Sequence, residues 1–205
     1  MADKQFLNDV YELKSVADTK ALYDDWSKTY DDEVGSKGYV TPVRIAAALT
    51  AFLPNKQAPI LDFGCGTGMS GAAMKEAGFA NIEGCDLSQE MLSQAAGKNA
   101  YRKLWQSDPA ADFPVNTGDY AAIAAVGVIS IGAAPPETMD MLIKVLAPGG
   151  LLTFSFNDHT LEDPRFEARV NQYLESSACE QILREDGEHL PGIGLRSTIF
   201  VLKRL

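Results

Sequence analysis

The sequence predicts an α/β fold: a seven-stranded mixed sheet, mostly parallel, with an antiparallel last strand and helices on both faces. Three observations carry this. From about residue 58 onward, short apolar runs alternate with segments of helical spacing, the order that builds parallel sheets through crossover helices. The strand-like runs end in glycine or turn residues that open the next helix. The 205 residues are 46% hydrophobic and 22% charged, which suits one globular domain able to bury its own core.

A helical portion comes first. Asp18 can cap a helix running to about Tyr30, and Thr41-Pro42 opens another through Val43, Ile45, Ala46 and Leu49 until Pro54. Residues 59–63 then read as a buried strand, 68–77 as a helix stopped by Gly78, and 80–85 as a second strand. Ser88 caps a helix ending at Gly97, and residues 101–106 form a third strand. A polar loop with Asp108, Pro109 and Pro114 leads to a fourth strand over 120–130. Pro135-Pro136 sets the first turn of a helix that ends near Leu146, and the turn Ala147-Pro148-Gly149-Gly150 precedes the strand 151–156. Asp163-Pro164 opens a helix with Phe166, Val170, Tyr173 and Leu174 on one face. The strands 179–184 and 196–203, joined through Gly187, Pro191 and Gly192, make an antiparallel pair at the end of the sheet.

The charge balance excludes some functions. Eighteen basic against 28 acidic residues leave a net charge of -10, the wrong sign for neutralising phosphates, so no nucleic-acid partner is expected. Cys65, Cys85 and Cys179 form no CxxC pair, so a reducing cytoplasmic setting is expected and the thiols are assigned no chemistry. The N-terminus lacks a secretory pattern, and the longest apolar stretch, 120–134, falls short of a membrane span. The two histidines, His159 and His189, lie at no metal-ligand spacing, so no metal is expected.

The strongest motif is Ile60-Leu61-Asp62-Phe63-Gly64-Cys65-Gly66-Thr67-Gly68, an apolar strand running into glycines that open a helix. Such a turn brings backbone close to a ligand at the carboxyl edge of the sheet. Asp86 ends the next strand, 24 residues after Asp62, where an acid can accept both hydroxyls of a ribose; alternatively it complements the dipole of the following helix. Asp108 follows the third strand, suited either to an exocyclic adenine amine or to an Asp-Pro turn.

These residues resemble the class I S-adenosylmethionine-dependent methyltransferases. Asp62, Gly64, Gly66 and Gly68 match that family's first motif, Asp86 its ribose acid, Asp108 its adenine-side acid, and Leu146-Ala147-Pro148-Gly149-Gly150 its turn before strand five. The resemblance implies a Rossmann-like sheet, S-adenosylmethionine as cofactor, Leu87 beside the ribose acid, and a small-molecule acceptor. It also implies that 1–205 is one domain with residues 1–55 forming a helical cap over the cofactor site. Tyr23 to Asp31 is similar to the N-terminal element of small-molecule members, in which Trp26 and Tyr30 would close over the cofactor's methionine end; an amphipathic helix burying Tyr23, Trp26 and Tyr30 is the other reading. Two departures bear on the chemistry. The family's acid at the start of strand four and histidine after it are missing, and Ala134-Pro135-Pro136-Glu137 does not match the amino-methylating motif used on DNA bases or glutamine.

Methyl transfer to a hydroxyl or amine needs a base, and His159 with Asp158 after strand five is the first candidate; the other reading is a loop that starts the next helix. His189 reads as a surface residue between the last strands. Two rival functions share the glycine turn. A nicotinamide-dependent oxidoreductase is disfavoured by Asp62 and by the lack of a Tyr-x-x-x-Lys pair, while a catalytically silent cofactor-binding partner stays open.

Overall fold

The computed structural model describes residues 16–205. Its elements in chain order are α1 (Val16–Trp26), α2 (Tyr30–Ser36), α3 (Thr41–Phe52), β1 (Ile60–Phe63), α4 (Met69–Glu76), β2 (Ile82–Asp86), α5 (Gln89–Gly97), β3 (Lys103–Gln106), β4 (Ala122–Ala125), α6 (Thr138–Val145), β5 (Leu151–Asn157), α7 (Asp158–Leu161), α8 (Pro164–Glu175), β6 (Cys179–Leu190) and β7 (Leu195–Arg204). The seven strands form one sheet in the order β3-β2-β1-β4-β5-β7-β6. The first five run parallel, and β7 is antiparallel to both β5 and β6. The chain reverses its direction of travel between β1 and β4, the place where open α/β sheets leave a crevice at their carboxyl edge.

Strand residues alternate between two cores. Ile60, Ala122, Ala124 and Val201 pack with Ile45 and Leu49 of α3 and Met74 of α4. Leu61, Ile123, Phe154 and Phe200 face the other way, onto Leu142 of α6 and Phe166 and Val170 of α8. β4 is buried at all four positions, as expected for a central parallel strand.

The differences from the sequence reading have local causes. The first helix breaks at residues 27–29, where the Ser27 and Thr29 hydroxyls donate to the carbonyls of Asp24 and Trp26 and compete with the helical ladder. β4 is shorter than expected because Gly127, at φ 71°, turns the chain away. β6 runs six residues past its expected end: Arg44 donates to the carbonyls of Glu185 and Glu188 and holds that edge strand extended, and a Cβ at Gly187 would stand 2.6 Å from the Arg44 guanidinium carbon. Of the expected cap over residues 1–55, residues 1–15 lie outside the described ones. α1 and α2 make a small cluster of their own around Trp26, Val34 and Leu190, whereas α3 belongs to the helix layer on the sheet.

Candidate functional site

The three loop glycines do different work. All have positive φ: 67° at Gly64, 53° at Gly66 and 86° at Gly68. A Cβ at Gly64 would stand 2.3 Å from Val128 Cγ2, and one at Gly68 would press to 3.0 Å from Ala95 Cα, so these two let the loop and α4 pack closely. Nothing lies within 4 Å of a Cβ on Gly66, which faces open space. Gly66 is therefore the point where backbone can approach a ligand.

Beneath this loop Asp62 is fully buried. Its Oδ2 accepts hydrogen bonds from Ser70 Oγ and Tyr101 Oη, both at 2.6 Å, while Oδ1 has no partner. Burial pushes the carboxyl up to about 6, opposed by those two hydroxyls and reinforced by the charge of Asp86. Tyr101 was read only as the start of a strand. It reaches Asp62 because Gly71 and Gly84 leave room for its ring: a Cβ on either would fall within 3 Å of it. Asp86, half-buried at the end of β2, accepts from the Gly66 amide at 2.8 Å and the Ser88 amide at 2.9 Å. Removal from water raises its carboxyl and the backbone amides lower it, with a net upward shift. Leu87 lies beside it, its carbonyl accepting from Gln106 Nε2 and tying the end of β2 to that of β3. Asp108 stands exposed past β3 and accepts from the Ala110 amide at 2.8 Å, so the turn reading is realised there.

Two clefts open along this edge. The smaller is lined by residues 64–67, Met69 and Ser70; the larger by Tyr23, Trp26, Ser130, Ser155, Asn157 and His189 among others. Tyr30 and Tyr39 line both. Trp26 is 1% exposed, donates Nε1–H to Glu33 at 2.8 Å and meets the Tyr30 ring edge-on with centroids 4.6 Å apart. Asp31 fastens α2 to the loop: Thr67 Oγ1 donates to it at 2.5 Å, and the Lys98 ammonium at the end of α5 pairs with its other oxygen.

The expected catalytic residues His159 and Asp158 are not among the described residues lining either cleft. His159 is exposed on α7, because the backbone turns into α7 immediately after Asn157. Asp158 accepts from the Arg196 amide at 2.9 Å instead. His189, expected at the surface, is 8% exposed and lines the larger cleft. β6 runs in the direction of β5, so its added length carries His189 to the carboxyl edge of the sheet. There Nδ1 shares a hydrogen bond of 2.8 Å with Thr41 Oγ1 and the ring meets Tyr39 edge-on. Burial pushes the imidazole down to about 4, with the Asp158 charge opposing and Arg44 assisting. The signal that could have found His189 is the Gly-Ile-Gly bend at 192–194, a tighter end for the hairpin than Gly187.

The site fits an adenosyl cofactor that bears positive charge. The Gly66 backbone faces open space, Asp62 keeps an unpartnered oxygen, and neither Asp62 nor Asp86 has a cationic partner among the described residues. The three thiols are free and buried and all are pushed up, Cys85 to about 12, so none is poised as a nucleophile.

Comparison with known proteins agrees with this geometry. A family model described as a methyltransferase domain matches residues 40–192. The chain is 33% identical over 155 residues to methyltransferase-like protein 27 of Homo sapiens, covering 73% of this chain and 63% of that protein. It is 36% identical over 70 residues to a Dictyostelium discoideum protein whose name assigns it to 18S rRNA guanine-N(7) methylation, covering 34% of this chain and 24% of that one. The chain thus spans less than two thirds of these relatives. The fold matches magnesium protoporphyrin IX methyltransferase from Synechocystis PCC 6803, solved with S-adenosylmethionine bound, at a TM-score of 0.66 and 19% identity over the whole of both chains.

Proposed function

The chain belongs to the class I S-adenosylmethionine-dependent methyltransferases, and from that premise we propose that it moves a methyl group from S-adenosylmethionine to an oxygen, nitrogen or sulfur atom of a small molecule. One observation carries the reading: a glycine-loop cleft adjoins, across Tyr30 and Tyr39, a second cleft with no charged side chain among its described lining residues. The net charge of -10 supports a small acceptor over RNA. The free thiols support a cytoplasmic setting.

When bound, the cofactor supplies an electrophilic methyl group on a sulfonium, open to in-line displacement. The chain's part is to hold, align and keep dry. Asp86 would accept the ribose hydroxyls with the lone pairs left over from its two amide bonds, with Leu87 beside it. Gly64, Gly66 and Gly68 would bring backbone to the cofactor, and Asp62 would oppose its positive end from below. Asp108 would meet the adenine side. Trp26 and Tyr30 would cover the methionine end and exclude water, with α1 and α2 as the cap. Alignment of this kind is worth about 7–11 kcal/mol in well-oriented reactions, so a thioether or an already ionised acceptor would need no base. For a hydroxyl or amine acceptor, His159 with Asp158 is the base expected from the sequence, although its exposure gives that role no support.

Calorimetric titration with S-adenosylhomocysteine and with NADH tests the reading: S-adenosylhomocysteine is expected to bind, and preference for NADH would overturn it. A methyl-donor consumption screen over phenols, amines, thiols and heterocycles is then expected to find turnover; none across a wide panel would point to a silent cofactor-binding partner. Asp86→Ala should weaken S-adenosylhomocysteine binding by about 1–3 kcal/mol, and an unchanged dissociation constant would remove Asp86 from the site.

A further inference from the structure

His189 does not stand alone in the larger cleft; it ends a chain of hydrogen bonds that starts at Arg44. Arg44 Nη1 donates to Ser197 Oγ at 3.0 Å, Ser197 Oγ lies 3.2 Å from Thr41 Oγ1, and Thr41 Oγ1 lies 2.8 Å from His189 Nδ1. A guanidinium can only donate. Ser197 Oγ accepts at the Arg44 end, which leaves its own proton free to turn to Thr41 Oγ1 and the Thr41 proton free to turn to Nδ1. In that order Nδ1 is an acceptor and the ring proton stands on Nε2. No described residue pairs with Nε2, and the ring lines the cleft.

The electrostatics of the wall agree. Arg44 cannot serve a ligand, because its remaining bonds go to the carbonyls of Glu185, Glu188 and Ser197 and to the Glu185 carboxylate. The charged groups acting on the imidazole are Asp158 and Arg44, with burial the strongest influence, and the ring is held neutral at pH 7. A carboxylate or phosphate entering this cleft would lose its water and find no cation among the described lining residues. Three partly buried tyrosine rings, Tyr23, Tyr30 and Tyr39, line it instead.

We propose that His189 is the acceptor-positioning residue, a neutral imidazole whose Nε2–H donates to a lone pair of an uncharged aromatic or conjugated acceptor stacked in the cleft. This rests on the methyltransferase reading for the cleft's purpose, while the tautomer of His189 stands apart from it.

The test has two arms. Protein labelled with ¹⁵N-histidine gives two ring systems, distinguished by His159→Gln. Two-bond proton–nitrogen correlations are expected to show His189 as the neutral Nε2–H form from about pH 5 to 8, and Thr41→Val is expected to shift that tautomer balance. An Nδ1–H form, or an imidazolium at pH 7, overturns the proposal. In the second arm, the protein saturated with S-adenosylhomocysteine is titrated with simple phenols and hydroxylated heteroaromatics and with the matching benzoates, followed by chemical shifts. Neutral aromatics are expected to bind, His189→Asn to weaken them about tenfold or more, and His189→Gln, whose amide N–H reaches the place of Nε2, to restore most of the loss. Benzoates binding equally well, no aromatic binding at all, or equal affinity in His189→Asn overturns it. Failure of S-adenosylhomocysteine itself to bind would instead remove the methyltransferase reading, with the tautomer measurement still deciding His189.

Discussion

At Asp62 burial outweighs two short hydrogen bonds, and the carboxyl stands at about 6 rather than at the usual 3.8. A folded-state value above the unfolded one means that the protonated acid stabilises the fold at low pH and that this contribution is lost as the pH rises through about 6. Asp62→Asn, which stays neutral, should therefore gain stability relative to the parent between about pH 4 and pH 7, by up to ~3 kcal/mol. Urea unfolding at the two pH values reads the difference, and a gap independent of pH would show that Asp62 titrates like a surface carboxylate. The glycines separate packing from binding in the same way. Gly64→Ala meets both a positive φ and Val128, and should cost about 2 kcal/mol or more of stability. Gly66→Ala meets only the positive φ, about 1–2 kcal/mol, and should chiefly lose S-adenosylhomocysteine affinity, by about tenfold. Melting temperature and calorimetry distinguish the two; equal binding by Gly66→Ala and the parent would mean that no ligand approaches that backbone.

At the scale of elements, the described residues that pack on α1 and α2 form a cluster apart from the two cores of the sheet. Trp26 is buried against Val34 and Leu190, and Asp31 reaches Thr67 and Lys98. The Asp31–Lys98 pair is partly exposed and contributes little on its own. Truncating a buried Trp costs about 3–5 kcal/mol, more than so small a cluster holds against local opening. Trp26→Ala is thus expected to release the cap while the sheet stays folded: protease sites should open within residues 16–36, far-UV ellipticity should change little, and S-adenosylhomocysteine binding should weaken. Loss of the whole fold in one transition, without new cleavage, would show the cap and sheet to be one cooperative unit. The break at residues 27–29 was hidden in the sequence because Ser and Thr compete for helix carbonyls only when their rotamers turn inward, a choice that packing makes.

Over the whole molecule, the sheet reverses between β1 and β4, and the chain carries a net charge of -10. A protein of that charge should pass through heparin resin unretained at roughly 0.15 M salt, and firm retention would reopen RNA as an acceptor. The five parallel strands, the glycine loop and the acid at the end of β2 were legible in the chain, since each depends on local periodicity, a backbone that only glycine allows, or a short spacing. Asp62 was legible as an acid in a buried strand but not as one with an unpartnered oxygen, because Tyr101 and Ser70 reach it from other elements. The sequence by itself therefore determined the sheet, its order of elements and the glycine loop at its carboxyl edge. Only the tertiary structure decided which histidine meets the cleft: contiguity in the chain favoured His159 beside Asp158, but α7 turns that ring outward, while Arg44, 144 residues away from Glu188, keeps β6 extended until it delivers His189 to the edge. Contacts over such separations leave no periodic trace in a single sequence, because they depend on how finished elements pack and not on which residues adjoin.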